Sequence, residues 1–311
     1  MENNMQYYMA PLEGITTYIY RSVYHKYYKG FDKYFTPFLA SKRLSAKEAN
    51  EIKPEHNEGM NLVPQILSNN IETFLEIAKQ IADVGYDTIN INLGCPSGTV
   101  VSRKRGAGQL ADTYALEKFL DEVFEKCPTK ISIKTRVGMY DTCEWEDILA
   151  VYAKLPLEEL IIHPRLREDY YKGKPRLETV KQALDANLQY PVCYNGDITS
   201  QATYDDILKE LPGIDSVMVG RGILRNPALI DELSGQGKTD RLQDFMSELA
   251  DSYEYHYGVG QDSNCLFKLK DVWNHLGLSF PDREKQLKAI RKSDSLSEYR
   301  IAVKRFFAQK E

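Results

Sequence analysis

No two of the five cysteines form a CxxC pair, and an odd number cannot all be paired in disulfides. Cys95, Cys127, Cys143, Cys193 and Cys265 therefore suggest neither a thiolate metal or iron–sulfur site nor a disulfide framework. No signal-peptide pattern opens the chain, so a reducing cytoplasm is the expected location. No apolar run approaches the roughly 20 residues a spanning helix requires, so no membrane role is expected. No GxGxxG opens the first helix, which weakens the case for a dinucleotide-binding sheet. Positive charge is not in excess either: 40 Lys and Arg face 45 Asp and Glu, for a net charge of −5. That average does not advertise a nucleic-acid partner, though it can conceal a local basic patch. The rest is ordinary for a soluble globular protein, with 42% hydrophobic and 27% charged residues over 311 positions,. That length suits two average domains, or one large α/β domain with an appendage.

Eight short β-rich runs punctuate the first 225 residues: Tyr7–Pro11, Lys33–Leu39, Asn61–Leu67, Thr88–Leu93, Lys130–Thr135, Glu159–His163, Pro191–Asn195 and Ser216–Val219. Between them lie segments of helical period, such as Ile71–Val84, Ala111–Lys126, Trp145–Lys154, Leu177–Asn187 and Ser200–Leu211,. Asn70 and Ser200 read as N-caps, and Gly85 and Gly213 sit where left-handed C-terminal residues are wanted. Strand–helix alternation implies parallel strands with right-handed crossovers. Eight units predict a (β/α)8 TIM barrel, with a doubly wound open sheet as the alternative. A polar, glycine-containing linker at Ser234–Asp240 ends this pattern. Beyond it the chain reads as helices only, at Leu242–Tyr257, Cys265–Leu276, Asp282–Arg291 and Ser295–Gln309. The expected organisation is thus a catalytic barrel over 1–235 and an all-helical C-terminal domain over 241–311.

In a barrel the C-terminal strand ends form the working face. Polar residues collect there after seven of the eight strands: Glu13, Gln65, Asn92 and Cys95, Lys134 and Arg136, His163 and Arg165, Asn195 and Asp197, Gly220 and Arg221. Each alone has a structural explanation; their shared placement points to a site. "NGDI" at 195–198 and "GRG" at 220–222 offer glycine-rich turns and a cation where barrels commonly hold a phosphate. A phosphate site without a nicotinamide fingerprint suggests a mononucleotide such as FMN. Lys134 then suits negative charge developing on a reduced flavin or on substrate.

The sequence resembles the flavin-dependent tRNA-dihydrouridine synthases over nearly its whole length. "MAPLEGIT" with Arg21, "NLGCPSGTVVSRKRGAGQL", "IKTRVG", "HPRLREDYYKG", "YNGDI" and "GRGILRNP" follow the family's order and spacing, and the long second motif is the most specific. The resemblance implies an FMN-containing barrel with a helical C-terminal domain, reducing the C5=C6 bond of uridines in RNA, with tRNA the expected substrate, at the expense of NADPH or NADH. It implies flavin contacts from Pro11, Leu12, Glu13, Gln65, Lys134 and His163. Asn195, Gly196, Asp197, Gly220 and Arg221 would hold the ribityl phosphate. Cys95 corresponds to the catalytic cysteine, and Asn92, Arg136 and Tyr171 to residues around the uracil. Hydride delivered from flavin N5 to C6 leaves negative charge at C5. A thiol with a pKa near 8.5 is mostly protonated at neutral pH and can protonate that carbon without prior activation. Cys127 and Cys193 have no such place and read as packing residues. Three positions depart from the family pattern: Thr17 where aspartate is common, Leu166 where threonine is common, and Asp169 where glutamine is common. They bear on which uridine is chosen more than on the reaction.

A uridine inside folded RNA must be extruded before it can be reduced, which calls for contacts beyond the pocket. Arg103, Lys104 and Arg105 follow Cys95 closely enough to line the mouth. Residues 240–264 carry one basic and six acidic residues, whereas 265–310 carry eleven basic and five acidic ones, Lys310 included. That local excess makes the tail a candidate for phosphate contacts. No obligate protein partner is evident. Two other readings stay open: a small-molecule FMN oxidoreductase of the dihydroorotate dehydrogenase type, and an RNA-binding barrel that no longer turns over.

Overall fold

The computed structural model describes residues 5–237 and 240–308. Lys238 and Thr239 of the linker, Gln309 at the end of the last expected helix, and Lys310 of the basic tail lie outside the described residues. Nine strands form one parallel sheet: β1 (Gln6–Met9), β2 (Lys33–Phe35), β3 (Leu62–Val63), β4 (Gln65–Ile66), β5 (Thr88–Leu93), β6 (Lys130–Arg136), β7 (Glu159–His163), β8 (Val192–Asn195) and β9 (Ser216–Val219). Their order is β3-β2-β1-β9-β8-β7-β6-β5-β4.

The two end strands are one stretch of chain. β3 and β4 are separated only by Pro64, which has no N–H to give a ladder,. β3 bonds to β2 and β4 to β5, and the Asn90 N–H donates to the Pro64 carbonyl at 2.9 Å. Residues 62–66 therefore close the sheet, and the chain forms the expected (β/α)8 barrel with its third strand in two pieces. Leu39, beyond β2, pairs with Ile66 and reinforces the closure.

The connecting helices start and stop where local chemistry directs. Asn70 accepts from Thr73 N–H at 2.8 Å to open Ile71–Val84, and Gly85, at φ +108°, closes it,. The next helix begins at Thr113, two residues later than the periodicity suggests. Gly106–Ala111 form a 3₁₀ turn first, and Asp112 then caps the helix through Ala115 N–H. Gly213 does not adopt the expected left-handed conformation; in this group of loops Asn187 does, at φ +49°.

Inside the barrel, side chains alternate along each strand and stack in layers. At the N-terminal end, Tyr8 Oη donates to Glu159 Oε1 at 2.6 Å, and Lys33 Nζ lies 3.4 Å from the same carboxylate. Burial raises the Glu159 pKa, and Lys33 opposes that rise. Above them Ala10, Phe35, Val63, Ile161, Cys193 and Met218 fill an apolar layer. Full burial of a large apolar side chain here stabilises by about 1.5–3 kcal/mol. Cys193 is entirely enclosed in that layer, and burial pushes its thiol pKa up, so it is a packing residue. The third layer, at the C-terminal mouth, is polar.

The chain divides into two compact units. One comprises the described parts of Met1–Pro11, Phe31–Asp197 and Asp205–Val219, and contains all nine strands. The other comprises Leu12–Gly30, Ile198–Tyr204 and the described part of Gly220–Glu311. In that second unit the helix Tyr18–Tyr27 packs on Leu242–Tyr257: Tyr20, Tyr24 and Tyr28, one per turn, set their rings around Phe245 at 5.8, 6.2 and 5.5 Å. The helices Asp262–Leu276, Glu284–Lys292 and Leu296–Ala308 complete it. Trp273 donates its indole N–H to Tyr299 Oη at 2.8 Å and packs edge-on against Phe306.

Candidate active site

The mouth of the barrel is built on a chain of amides. Gln65, Asn90 and Asn92 share one face, because Asn90 and Asn92 are two apart on β5 and Gln65 pairs with Asn90,. Gln65 Nε2 donates to Asn90 Oδ1 at 2.7 Å, and Asn90 Nδ2 donates to Ser132 Oγ at 2.9 Å. Asn92 Nδ2 donates to Gln65 Oε1 at 2.7 Å. The Asn92 carboxamide oxygen then accepts the N–H groups of Gly94 at 3.1 Å and Cys95 at 2.9 Å. The turn that presents Cys95 is thus fixed by a side chain whose other end is anchored across two strands. Asn90 was not singled out from sequence; the alternation in "TININL" is the signal that would have found it.

Cys95 is half-buried. The chain after it folds back over it, and Ala107 N–H donates to the Cys95 carbonyl at 3.1 Å. Gly106, at φ +56°, lies so close that a Cβ there would sit 3.0 Å from Cys95 Cβ. The intervening basic run is exposed at Arg103 and Lys104, with Arg105 half-buried. Asn69 Nδ2 holds its backbone by donating to the Arg103 and Lys104 carbonyls at 3.1 and 3.0 Å.

Lys134, on β6, stands in register with Asn92. Its ammonium makes no hydrogen bond or ion pair with any described residue. Burial, with Arg136 nearby, lowers its pKa to about 8, and Cys95 and Cys193 oppose that shift. Arg136 is 1% exposed and bonds three carbonyls: Gly94 at 2.9 Å, Leu166 at 2.7 Å and Tyr170 at 2.6 Å. Burial lowers its pKa to about 10. This guanidinium ties the cysteine turn to the loop that follows β7. That loop carries Tyr171, whose ring stacks on His163 at 6.2 Å and lies 5.6 Å from Arg136.

Arg165, fully buried, bridges to the next strand end. Its guanidinium reaches Asp197 Oδ1 and Oδ2 at 3.2 and 2.5 Å and His163 Nε2 at 3.2 Å. Asn195 Nδ2 donates to the Met218 carbonyl at 2.8 Å. At Gly196 a Cβ would lie 1.9 Å from Tyr194 Oη, so only glycine fits. That Tyr194 hydroxyl is buried and has no hydrogen-bond partner among the described residues. A glycine-only turn and an unpaired ammonium at the C-terminal ends of the barrel strands suit an anionic, acceptor-rich ligand. The donor set thus fits a flavin mononucleotide.

Cys95, Asn92, Gln65, Lys134, Arg136, His163, Tyr171, Asn195, Gly196 and Asp197 belong to the barrel unit, as do Pro11 and the run 103–105. Leu12, Glu13, Gly220 and Arg221 belong to the other unit. In the chain Gly220 comes next after β9, and Leu12 comes after Ala10 and Pro11 that follow β1. Leu12 opens a turn in which its N–H donates to Thr16 Oγ1 at 2.7 Å and its carbonyl accepts from Ile15 and Thr16. Glu13 is exposed, and Lys268 Nζ donates to the Gly14 carbonyl at 2.7 Å. Arg221 opens a short helix ending at Arg225. Of the three departures, Thr17 sits at a helix N-cap without making the cap bond, and its hydroxyl is buried with no hydrogen-bond partner among the described residues. Asp169 accepts from Leu166 N–H at 2.8 Å and pairs with Arg176, which holds its pKa down against the effect of burial.

A model of the dihydrouridine synthase family matches residues 8–304. The chain belongs to that family. It is 27% identical over 229 residues to a probable tRNA-dihydrouridine synthase of Staphylococcus epidermidis, covering 70% of this chain and 69% of the relative. A probable tRNA-dihydrouridine synthase of Rickettsia prowazekii is 25% identical over 255 residues, covering 80% and 77%. Among solved structures, morphinone reductase is similar in fold, with a TM-score of 0.52 at 12% identity, covering 75% of this chain and 86% of that one. Among the described residues no helix is long and apolar enough to cross a membrane.

Proposed function

We propose that this chain is an FMN-dependent enzyme of the cytoplasm that reduces the C5=C6 bond of a uridine in tRNA to 5,6-dihydrouridine, using NADPH or NADH as reductant. The family membership and the activity for which its relatives are named support the reaction class. The observation that carries the residue-level reading is the unpaired ammonium of Lys134 standing in register with the asparagine that fixes Cys95.

Bound FMN would supply hydride to C6 of the uracil. Pro11, Leu12, Glu13, Gln65, Lys134 and His163 would hold its ring, and Asn195, Gly196, Asp197, Gly220 and Arg221 its phosphate. Asp197 serves there through its backbone, since its carboxylate is engaged by Arg165. Cys95 acts on the substrate: its S–H donates a proton to C5 as negative charge develops there, and the thiolate regains a proton from water. Asn92 and Arg136 act through position, the first by holding the cysteine turn and the second by tying that turn to the Tyr171 loop. Tyr171, backed by His163, offers a face for the base. Arg103, Lys104 and Arg105 meet RNA phosphates beside the mouth.

The C-terminal helices provide the second RNA contact. The groove between Glu284–Lys292 and Leu296–Ala308 is lined by Lys285, Lys292 and Arg305 against one carboxylate, Glu298, with Ala302 and the exposed Ile301 among its apolar residues. Such a groove suits a phosphate backbone.

The test is the visible spectrum of the purified protein together with dihydrouridine mapping in RNA from a deletion strain. A yellow protein whose loss removes dihydrouridine at defined positions is expected. Cys95→Ala should keep its flavin and restore almost none of the modification. A colourless protein with an unchanged dihydrouridine map would sink the proposal, and turnover of free dihydroorotate would favour the small-molecule reading.

A further inference from the structure

We infer that the loop after β7 carries a second nucleotide position, resting on the RNA-reducing function proposed above: the base flanking the target uridine stacks on Tyr170, and Arg167 meets its phosphate. The loop is held unusually firmly for a surface segment. Arg176 N–H closes it onto the Pro164 carbonyl at 2.7 Å, Arg165 reaches the Gly173 carbonyl at 2.6 Å, and Arg136 reaches Leu166 and Tyr170. It is also knitted to the loop after β6, through Arg167 N–H to Gly138 and Glu168 N–H to Met139.

A loop this rigid nonetheless presents its aromatic rings outward. Tyr170 and Tyr171 are 42% and 48% exposed, and Tyr140 on the neighbouring loop is 62% exposed. Exposed large rings grouped at one mouth are informative where a single one is not. Tyr170 also has φ +51°. A bulky side chain in the left-handed region is strained by about 1–2 kcal/mol, and such strain concentrates at binding sites. The Arg136 bond to its carbonyl maintains it. The Tyr171 ring is engaged by His163 and Arg136. The Tyr170 ring meets Arg167, whose guanidinium lies 5.0 Å from the ring centre and donates to its hydroxyl at 3.1 Å. Arg167 Nε is buried without a hydrogen-bond partner among the described residues. Between Arg165 and Arg176 there are five basic and two acidic residues, so the loop is electropositive.

Chemistry selects the occupant. Extruding a uridine unstacks its neighbours, each of which exposes a π face that an aromatic ring can cover without regard to sequence. An arginine-flanked tyrosine offers both the stacking surface and the counter-charge for the adjoining phosphate.

The test is a cycle between Tyr170 and the flanking base, read as RNA affinity by fluorescence anisotropy and as KM against kcat for dihydrouridine formation. The RNAs carry an abasic residue on one side or the other of the mapped uridine. Tyr170→Asn removes the ring while tolerating the left-handed backbone, and Tyr170→Phe keeps the ring. The expected result is an approximately tenfold rise in Kd and KM for Tyr170→Asn, near wild-type behaviour for Tyr170→Phe, and unchanged flavin content in both. An abasic residue on the stacking side should weaken the wild type by a similar factor and leave Tyr170→Asn unaffected. If Tyr170→Asn binds intact RNA like wild type, or wild type ignores both abasic substitutions, the inference is overturned. Failure of wild type to form dihydrouridine in any RNA overturns the proposed function as well.

Discussion

Lys134 is the residue at which stability and function pull apart. Its pKa lies near 8 in the folded chain, below the usual lysine value, because burial and Arg136 disfavour the charge. A lysine whose folded pKa is lowered costs stability wherever the unfolded chain keeps the proton. The cost is full below about pH 8 and fades as pH rises towards the unfolded value. Lys134→Met should therefore raise the melting temperature of the flavin-free protein at pH 7, with the gain shrinking as pH approaches 10. The same change should weaken flavin binding roughly 10- to 100-fold, since a charge-assisted hydrogen bond is lost. Melting curves against pH and flavin titrations measure the two effects. A less stable variant at pH 7 would show that the ammonium is already satisfied. The identity of this lysine was legible from its place at a strand end; its lack of a hydrogen-bond or ion-pair partner among the described residues was not, because pairing depends on every neighbouring strand.

At the scale of an element, the cysteine turn is a reciprocal arrangement of residues 92–107, with Asn92 fixing it from below and Gly106 from above. The sequence made the asparagine and the cysteine conspicuous. Gly106 stayed hidden among four glycines in 94–108, because only the fold brings it to Cys95. The split of the third strand was hidden for a similar reason: Pro64 reads as a break in a strand, and only closure makes that break useful. Gly106→Ala tests the turn. Its Cβ would press on Cys95 Cβ and Val100, and its backbone would be forced into the left-handed region,. The variant should melt a few degrees lower, retain its flavin and reduce uridine at least tenfold more slowly at saturating RNA, since small displacements of a reacting group are costly. Unchanged single-turnover rates would show that Cys95 is not held by this contact.

Across the whole molecule the net charge of −5 conceals a basic C-terminal end, and here the pattern of the chain was easier to read than its packing. The strand count and the four C-terminal helices were evident from periodicity. The partnership of Tyr18–Tyr27 with Leu242–Tyr257 was not, because tyrosines one turn apart can face any apolar surface and nothing local names Phe245. The basic groove of the last two helices is the large-scale feature that function should depend on. Lys285, Lys292 and Arg305 contribute no ion pair among the described residues, so reversing all three to glutamate would remove the proposed phosphate contacts without breaking an ion pair seen there. Each phosphate contact contributes close to one unit to the slope of log affinity against log salt. The triple variant should therefore bind RNA at least a hundredfold more weakly at low salt, with a slope shallower by about 3. Flavin content should not change, because the groove is formed wholly by helices beyond residue 283. Affinity measured over a salt series decides the matter: parallel lines for wild type and variant would remove this groove from the RNA-binding surface and leave Arg103, Lys104 and Arg105 to carry it.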